Sequence, residues 1–98
     1  MLVKIHKKPQ GKTVVAICDK SLIGKTLEEG NMELNLDSDF YKGENAAGDM
    51  IADMMRNADV VNLVGQKSIA LALKEGILEK EEIKKVQGIP HAQIILMD

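Results

Sequence analysis

The chain has 98 residues, of which 45% are hydrophobic and 29% charged, as expected for one ordinary globular domain. Thirteen basic and fifteen acidic side chains give a net charge of -2, so the global charge does not attract nucleic acid. A single cysteine excludes an intrachain disulfide framework and a multi-cysteine zinc site. One phenylalanine and one tyrosine disfavour an RNA module that stacks bases on several aromatic rings.

Signals for membranes and export are absent from the sequence. No apolar run approaches the roughly 20 residues of a membrane span. The basic start, MLVKIHKKPQGK, is followed by no apolar stretch that is long enough for a signal peptide. We therefore expect a single domain over residues 1–98 that is cytoplasmic and does not contact a membrane.

The first third of the chain has the pattern of an antiparallel hairpin. Residues 2–6 alternate apolar and polar side chains, residues 9–11 supply turn chemistry, and residues 13–18 are β-rich. The second strand, TVVAIC, is apolar on both faces, so we expect it inside the sheet with cover on each side. The segment SLIGKTLEEG is too glycine-interrupted for a long helix, whereas MELNL at residues 32–36 alternates as a third strand before a loop at residues 37–44.

The rest of the chain carries two helical patterns and two apolar runs. In chain order we predict a helix over residues 46–57 with Asn45 as its N-cap, a strand at Val60–Val64, a helix over residues 66–75, a short charged helical turn at residues 77–85 and a strand over residues 94–97. The order strand, helix, strand indicates a crossover between the last two strands, which is right-handed where such strands are parallel neighbours.

Together these elements predict an α+β fold. We expect one small mixed β-sheet, opened by the N-terminal antiparallel hairpin and packed by two main helices. The strand at residues 32–36 and the last strand, IILM, are both expected in that sheet, and IILM is expected to be buried.

The N-terminal hairpin also carries a cluster of basic residues, made of Lys4, His6, Lys7, Lys8 and Lys12. Such a local basic edge can meet phosphate or an acidic partner, which makes Lys7 and Lys8 candidate binding residues. The alternative is that these lysines prevent an edge strand from pairing with other molecules.

The sequence context disfavours three kinds of chemical site: a phosphate-binding loop, a cysteine nucleophile and a metal site. Gly-Lys-Thr occurs twice, but His6 and Asp19 stand where a phosphate-binding loop needs its first glycine. Cys18 could be a nucleophile with His91 as its base and Asp19 as orienter, yet in an apolar strand cysteine behaves as a small buried hydrophobe. No histidine or cysteine pair has the helical spacing of metal ligands, so neither a metal nor a cofactor is predicted.

Two glycine-containing segments are the stronger candidates. Gly65 lies between a strand and a helix, where the following amides can form an anion seat, although many such turns need glycine only to turn. The segment GIPHAQ places His91 and Gln93 two residues apart, so in an extended segment both project to one face next to Pro90. These polar groups are either displayed for function or satisfied structurally around a buried turn.

Four segments, LEEG, FYKGE, NLVGQKSIALALKEGIL and GIPHAQI, resemble in this order an archaeal family of short proteins catalogued as a domain of unknown function. The resemblance spans nearly the whole chain and implies an archaeal cytoplasmic protein with a connection to translation. It adds weight to Gly30, Tyr41, Gly43, Glu44, Asn62, Gly65, Pro90, His91 and Gln93. Gln66 departs from the pattern, because an acidic residue is expected there.

Two functions from different classes fit these observations. The first is a non-catalytic binding module, and the second is a small enzyme in which His91 performs acid–base chemistry with Glu44 or Asp19. Binding is favoured because a short single domain has little room for a catalytic pocket of about 300 Å³. The partners left open are a protein, a ribonucleoprotein and a second copy of the chain, with direct nucleic-acid contact undecided. The candidate binding residues are Lys7, Lys8, Tyr41, Glu44, Asn62, Gly65, Pro90, His91 and Gln93.

Overall fold

The computed structural model describes residues 1–96, which form eight strands and two helices. In chain order these are β1 (Leu2–Lys7), β2 (Thr13–Cys18), β3 (Thr26–Glu29), β4 (Met32–Asn35), β5 (Glu44–Asn45), α1 (Gly48–Arg56), β6 (Val60–Val64), α2 (Gln66–Lys74), β7 (Lys84–Val86) and β8 (Ile89–Ile95). Short 3-10 turns lie at Lys20–Leu22 and Lys80–Glu82. No helix within this part of the chain is long and apolar enough to cross a membrane.

Six strands form one mixed sheet in the order β5-β1-β2-β6-β8-β7. The pair β2–β6 is parallel, and every other neighbouring pair is antiparallel. The predicted α+β class is confirmed, as is the opening hairpin of β1 and β2. The strand β2 lies inside the sheet, as its two apolar faces predict.

The two faces of the sheet have different cover. One face of the sheet is covered by α1 and α2 and is called here the helix face. Its buried cluster contains residues of β2 and β6 from the sheet and residues of both helices, namely Val15, Ile17, Val61, Leu63, Ile51, Met55, Ile69 and Ala72. On the opposite face, called here the hairpin face, Cys18 and Val64 pack beneath residues of β3, β4 and their flanks, namely Leu22, Leu27 and Leu36. The apolar residues on both faces of β2 are therefore explained by two separate layers.

The strand predicted at residues 32–36 forms, but its predicted place in the main sheet is wrong. It pairs with β3 as a separate two-stranded sheet that lies across the hairpin face. In β3, Leu27 is buried while Glu28 and Glu29 are exposed, so only one face of this hairpin can be covered. A hairpin with one apolar face is suited to lie on a sheet as a lid, rather than inside it.

The last strand begins at Ile89, five residues earlier than predicted, so Pro90, His91 and Gln93 all lie within it. Proline has no backbone N–H to donate, but its carbonyl group can still accept a hydrogen bond. The Pro90 carbonyl accepts one from the N–H of Gly65 at 2.9 Å. The predicted crossover in this segment is wrong, since β6 and β8 are antiparallel. The expected burial of the IILM run is wrong at Ile95, which is 61% exposed. Met97 of the predicted strand lies outside the described residues.

Both predicted helices form, with small differences at their ends. The helix α1 begins at Gly48 with Ala47 as its N-cap residue, so the predicted cap at Asn45 is wrong. Asn45 lies in β5 instead, where it pairs with Leu2 at the sheet edge. The helix α2 ends next to Gly76, whose φ of +72° is the left-handed conformation that closes many helices.

Candidate functional site

The turn between β6 and α2 has the form of an anion seat, and a carboxylate of the protein occupies it. Asp19, which follows β2, accepts hydrogen bonds from the backbone N–H of Lys67 at 3.0 Å and of Ser68 at 2.9 Å. The Ser68 hydroxyl donates to the same carboxylate at 2.7 Å, and both of these residues are buried. Because the first amides of α2 already bind Asp19, this turn does not offer them to an external anion.

Gly65 is required by the same packing. Its φ is +111°, and a Cβ atom at this position would collide with the carboxyl group of Asp19. Its N–H group donates to the Pro90 carbonyl, which ties the start of α2 to β8. The geometry therefore gives Gly65 and Pro90 structural roles at the point where three strands meet the helix.

Asn62, His91 and Gln93 share the hairpin face of the sheet. Asn62 in β6 lies directly opposite Gln93 in β8, and His91 lies opposite Val64, one step along the same face. Gln93 is exposed, whereas Asn62 and His91 are half-buried. The expectation that His91 and Gln93 project to one face next to Pro90 agrees with this register.

The surroundings of the His91 imidazole disfavour its charged form. Burial lowers its pKa below the ordinary 6.5, and the neighbouring charge of Lys84 lowers it further. Its Nε2 atom is buried and has no hydrogen-bond partner within residues 1–96. The carboxylate of Asp19 is bound to the first turn of α2. Glu44 lies on β5 at the opposite edge of the sheet, four strand positions from β8. Neither carboxylate is placed to exchange a proton with His91.

Cys18 is a buried thiol rather than an exposed nucleophile. Burial and the charge of Asp19 raise its pKa to about 11, so the reactive thiolate does not form near neutral pH. Its strand and that of His91 are separated by β6, with Val64 between the two residues in the register. The structure thus does not assemble a cysteine–histidine pair.

The loop at residues 39–42 is fastened onto the hairpin face of β1. The Phe40 ring stacks on His6 with centroids 4.5 Å apart, and a nitrogen of His6 lies 2.9 Å from the Phe40 carbonyl. Lys4 donates to the Asp39 carbonyl at 2.7 Å. Tyr41 packs against the buried residues of this face, where burial raises its pKa to about 12. The two aromatic rings therefore cover the sheet.

At Gly43 the chain crosses from this face to the sheet edge. A Cβ atom on Gly43 would collide with the Val3 carbonyl, so only glycine permits this close approach to β1. Glu44 and Asn45 then pair with Val3 and Leu2 as the short strand β5. Of the predicted site residues, Tyr41 therefore lies on the hairpin face, whereas Glu44 lies at the outer edge of β1.

A cavity of about 600 Å³ opens beside this edge, between β1, β5 and α1, so the expectation that a short domain has little room for a pocket of about 300 Å³ is wrong. We call it the β1 groove. Its apolar lining includes Ile5, Met50 and Met54, and Ile5 and Met50 are 46% and 55% exposed. A smaller cavity of about 360 Å³ continues it past Ile5 and Met54 towards Lys7 and Asp53. Exposed apolar side chains in a concave surface are typical of sites that bind another molecule.

The basic residues Lys7 and Lys8 lie at the far end of this groove, not near His91. Lys7 is opposite Thr13 at the start of β2, whereas His91 is in register with the end of β2. Five residues along the strands and three strand spacings across the sheet separate them, which is about 20 Å at ordinary spacings. Lys7 and His91 therefore do not form one cluster, and a partner that contacted both would have to span this distance.

The exposure of the groove's methionines is not evident from the sequence. Met50 and Met54 share helical spacing with Ile51 and Met55, which favours core packing, and an adaptable protein-binding surface is the alternative if such side chains are exposed. In the structure Met54 is half-buried against the core, whereas Met50 is exposed. A period-3.6 pattern does not distinguish the two sides of a broad apolar stripe. The available signal was in β1, where Ile5 is the last apolar residue of a short strand that is followed by lysines.

Comparison with known proteins identifies relatives without assigning an activity. The fold is similar to that in the crystal structure of an uncharacterized conserved protein from Methanopyrus kandleri, with a TM-score of 0.83 and 26% sequence identity over 98% of this chain and 90% of that chain. No curated protein matches the sequence. The sequence model of DUF424, described as a protein of unknown function, matches residues 6–97. The chain therefore belongs to the DUF424 family.

Proposed function

We propose that this protein is a non-catalytic module that binds another polypeptide through the β1 groove. The observation that carries the proposal is the exposure of Ile5 and Met50 in a cavity of about 600 Å³. Large apolar side chains are costly to leave in water, and together in a groove they indicate a binding surface. Methionine suits such a surface because its flexible, polarizable side chain adapts to different partners.

A binding role is also favoured over acid–base catalysis by the arrangement around His91. The neighbours of His91 in its strand register are Val64 and Lys84, which supply neither a carboxylate nor a nucleophile. The groove lies at the opposite side of the sheet, so His91 does not line it. Catalysis needs several groups converging on one reacting atom, whereas binding needs only a complementary surface.

Photo-crosslinking in archaeal cells tests this proposal. A benzophenone amino acid is placed at Met50 in the groove and, as a matched control, at Met32, an exposed methionine on β4 outside the groove. We expect a discrete crosslinked partner from position 50 that is lost when Ile5→Asp places a charge in the groove. The same adducts from both positions, or adducts that persist with Ile5→Asp, would contradict the proposal.

The connection with translation that the resemblance implies stays a finer prediction. It predicts that the partner crosslinked at position 50 cosediments with ribosomal subunits or with a soluble translation factor. Recovery of an enzyme of intermediary metabolism as the partner would leave groove binding intact and remove the translation assignment.

A further inference from the structure

The edge of β1 that borders the groove has unpaired backbone groups. The Met1 carbonyl accepts from the N–H of Ala46 next to β5, and the Lys8 N–H donates to Lys12 across the hairpin. Because backbone groups in a strand alternate in direction, odd-numbered residues of β1 face the outer edge and even-numbered residues face β2. The N–H and C=O groups of Ile5 and Lys7 therefore point away from β2.

The strand β5 covers only the start of this edge. It pairs with Leu2 and Val3 and then leaves at Gly43, where the preceding chain crosses onto the hairpin face. Within residues 1–96, no backbone or side-chain group bonds to the outward groups of Ile5 and Lys7. The position that a further strand would take beside residues 5–7 is thus unoccupied, and we call it the open place. It borders the apolar side chains that line the groove.

The charge around this open place is positive at the hairpin end. Lys7, Lys8 and Lys12 have no carboxylate within ion-pair distance in the described part of the chain. The acidic lining residue Asp53 is paired at 3.1 Å with Arg56, which also pairs with Glu75, and Glu44 lies in β5 at the other end of the groove. An occupant at the hairpin end therefore meets lysines that no ion pair within residues 1–96 neutralises.

A second copy of the chain is a poor occupant. Antiparallel pairing of two β1 strands about the open residues 5–7 would place Lys4 of each copy directly opposite Lys8 of the other. Like charges on directly opposed strands are destabilising, and lysines at a sheet edge are a known barrier to self-pairing. The same lysines attract an acidic strand.

We propose that the occupant is an extended acidic segment of another protein, which adds to the sheet as a strand beside Ile5 and Lys7. This inference rests on the proposed function and specifies its partner class. The outward backbone groups supply hydrogen bonds that are independent of sequence, and the groove takes alternate apolar side chains of the segment. Acidic residues of the segment near the hairpin pair with the free lysines.

A synthetic peptide tests this inference on the whole chain by NMR. The probe has alternating valine and threonine at its centre and two glutamates at each end. Added up to about 1 mM, it is expected to bind, to protect the amides of Ile5 and Lys7 from exchange and to weaken as salt rises. A lysine-flanked peptide and a peptide with N-methylated central amides are expected to leave both amides unprotected.

Two variants separate the backbone contact from the charge contact. Ile5→Pro removes an outward N–H that β2 does not use, so the sheet should form, while peptide affinity falls about tenfold or more relative to Ile5→Val. Lys7→Glu with Lys8→Glu should cause a similar loss, whereas the exposed pair Lys20→Glu with Lys25→Glu should change affinity less than about twofold. Chemical shifts of Val15 and Ile17 report whether each variant keeps the sheet.

The outcomes distinguish this inference from the proposed function. If Ile5→Asp abolishes the crosslink in cells but the glutamate peptide fails to bind, the groove binds a partner in another way and strand addition is overturned. Equal binding of the lysine-flanked peptide, or full affinity of a folded Ile5→Pro variant, also overturns it. A crosslink between two copies of the chain through the groove would make the occupant a second copy and overturn the acidic segment.

Discussion

At the scale of single residues, the hairpin face concentrates ionisable groups in their neutral forms. Cys18, Tyr41 and His91 differ in chemistry, yet burial is the main cause of the pKa shift of each. Burial disfavours whichever form is charged, so it raises the pKa of the thiol and the phenol and lowers that of the imidazole. Burial therefore favours the uncharged forms of these three side chains, which suits their packing under the β3–β4 hairpin.

Tyr41 provides a direct test of this burial. It is the one tyrosine in a chain without tryptophan, so absorbance at 295 nm follows its ionisation alone. We expect a midpoint near 12 in the folded protein and near the ordinary 10.0 after unfolding in guanidinium. Since the folded-state pKa is raised, the contribution of Tyr41 to stability is complete below pH 10 and is lost as the pH rises towards 12. A midpoint near 10 in the folded protein would show that the ring is in water.

His91 should make the protein less stable in acid. The folded-state pKa lies below the ordinary 6.5, so the unfolded chain binds a proton before the folded chain does. We therefore expect the free energy of unfolding of the wild type to fall, relative to His91→Gln, as the pH decreases below 6.5. Above that pH the difference between the two proteins should be constant. Urea unfolding of both proteins between pH 8 and pH 5 measures this, and parallel curves throughout would contradict the predicted linkage.

At the scale of elements, the start of α2 shows how a helix terminus can be satisfied from a distant strand. Asp19 lies 49 positions before Ser68, yet its carboxylate caps the helix whose first turn contains Ser68. A carboxylate at this position binds free amides and complements the helix dipole. The cap also joins the end of β2 to the turn between β6 and α2, which lies far along the sequence from β2.

Glycine substitutions at the two ends of α2 test this junction. Gly65→Ala should destabilise the protein by more than about 3 kcal/mol, because a methyl group would displace Asp19 from the helix amides. Gly76→Ala is the matched control, since Gly76 also has a positive φ but has open space around it. Its cost should be only the backbone strain, about 1 to 2 kcal/mol. Equal losses of stability in the two variants, measured by denaturant unfolding, would contradict the collision with Asp19.

Hydrogen exchange along β1 tests the open edge without any partner. We expect slow exchange for the amides of Lys4 and His6, which bond to β2, and fast exchange for those of Ile5 and Lys7. The alternation should appear in the free protein by NMR. Uniform protection from Lys4 to Lys7 would mean that the edge is already covered.

In the whole molecule, the sheet is covered on one face by the helices and on the other by the β3–β4 hairpin, and the two layers bury apolar clusters of different size. The helix face carries the larger buried cluster, while the β3–β4 hairpin covers the other face without joining the main ladder. Gln87 in the turn before β8 ties this hairpin down, since its N–H donates to Glu29 at 2.6 Å and its side chain to the Glu28 carbonyl at 2.9 Å. Few long-range bonds therefore hold the hairpin in place.

This imbalance predicts the order of opening. The amides of Ile17 and Leu63, both fully buried at the centre of the sheet, should exchange only through global unfolding. The amide of Leu27 in β3 should exchange with a lower opening free energy, because the hairpin can detach while the sheet stays intact. Native-state exchange in low denaturant measures both values, and identical opening free energies would show one cooperative unit instead of two.

The elements whose signals are local could be predicted from the sequence. The opening hairpin, the strand Val60–Val64 and the helix α2 follow from side-chain periodicity and from turn glycines, and these were predicted nearly to the residue. The α+β class and the central position of β2 follow as well, because a strand that is apolar on both faces must be covered twice. The resemblance to a family of unknown function was likewise readable from the motifs alone.

The surfaces that meet in the fold could not be predicted from local sequence patterns. The occupation of the α2 terminus by Asp19, the separation of Lys7 from His91 and the opening of the β1 groove all depend on residues that are distant in the chain. A local pattern states that a side chain needs cover or a hydrogen-bond partner, but not which distant group provides it. The strand β5 has only two residues, which is too short to give a recognisable sequence pattern. Its end determines which backbone groups of β1 have no hydrogen-bond partner.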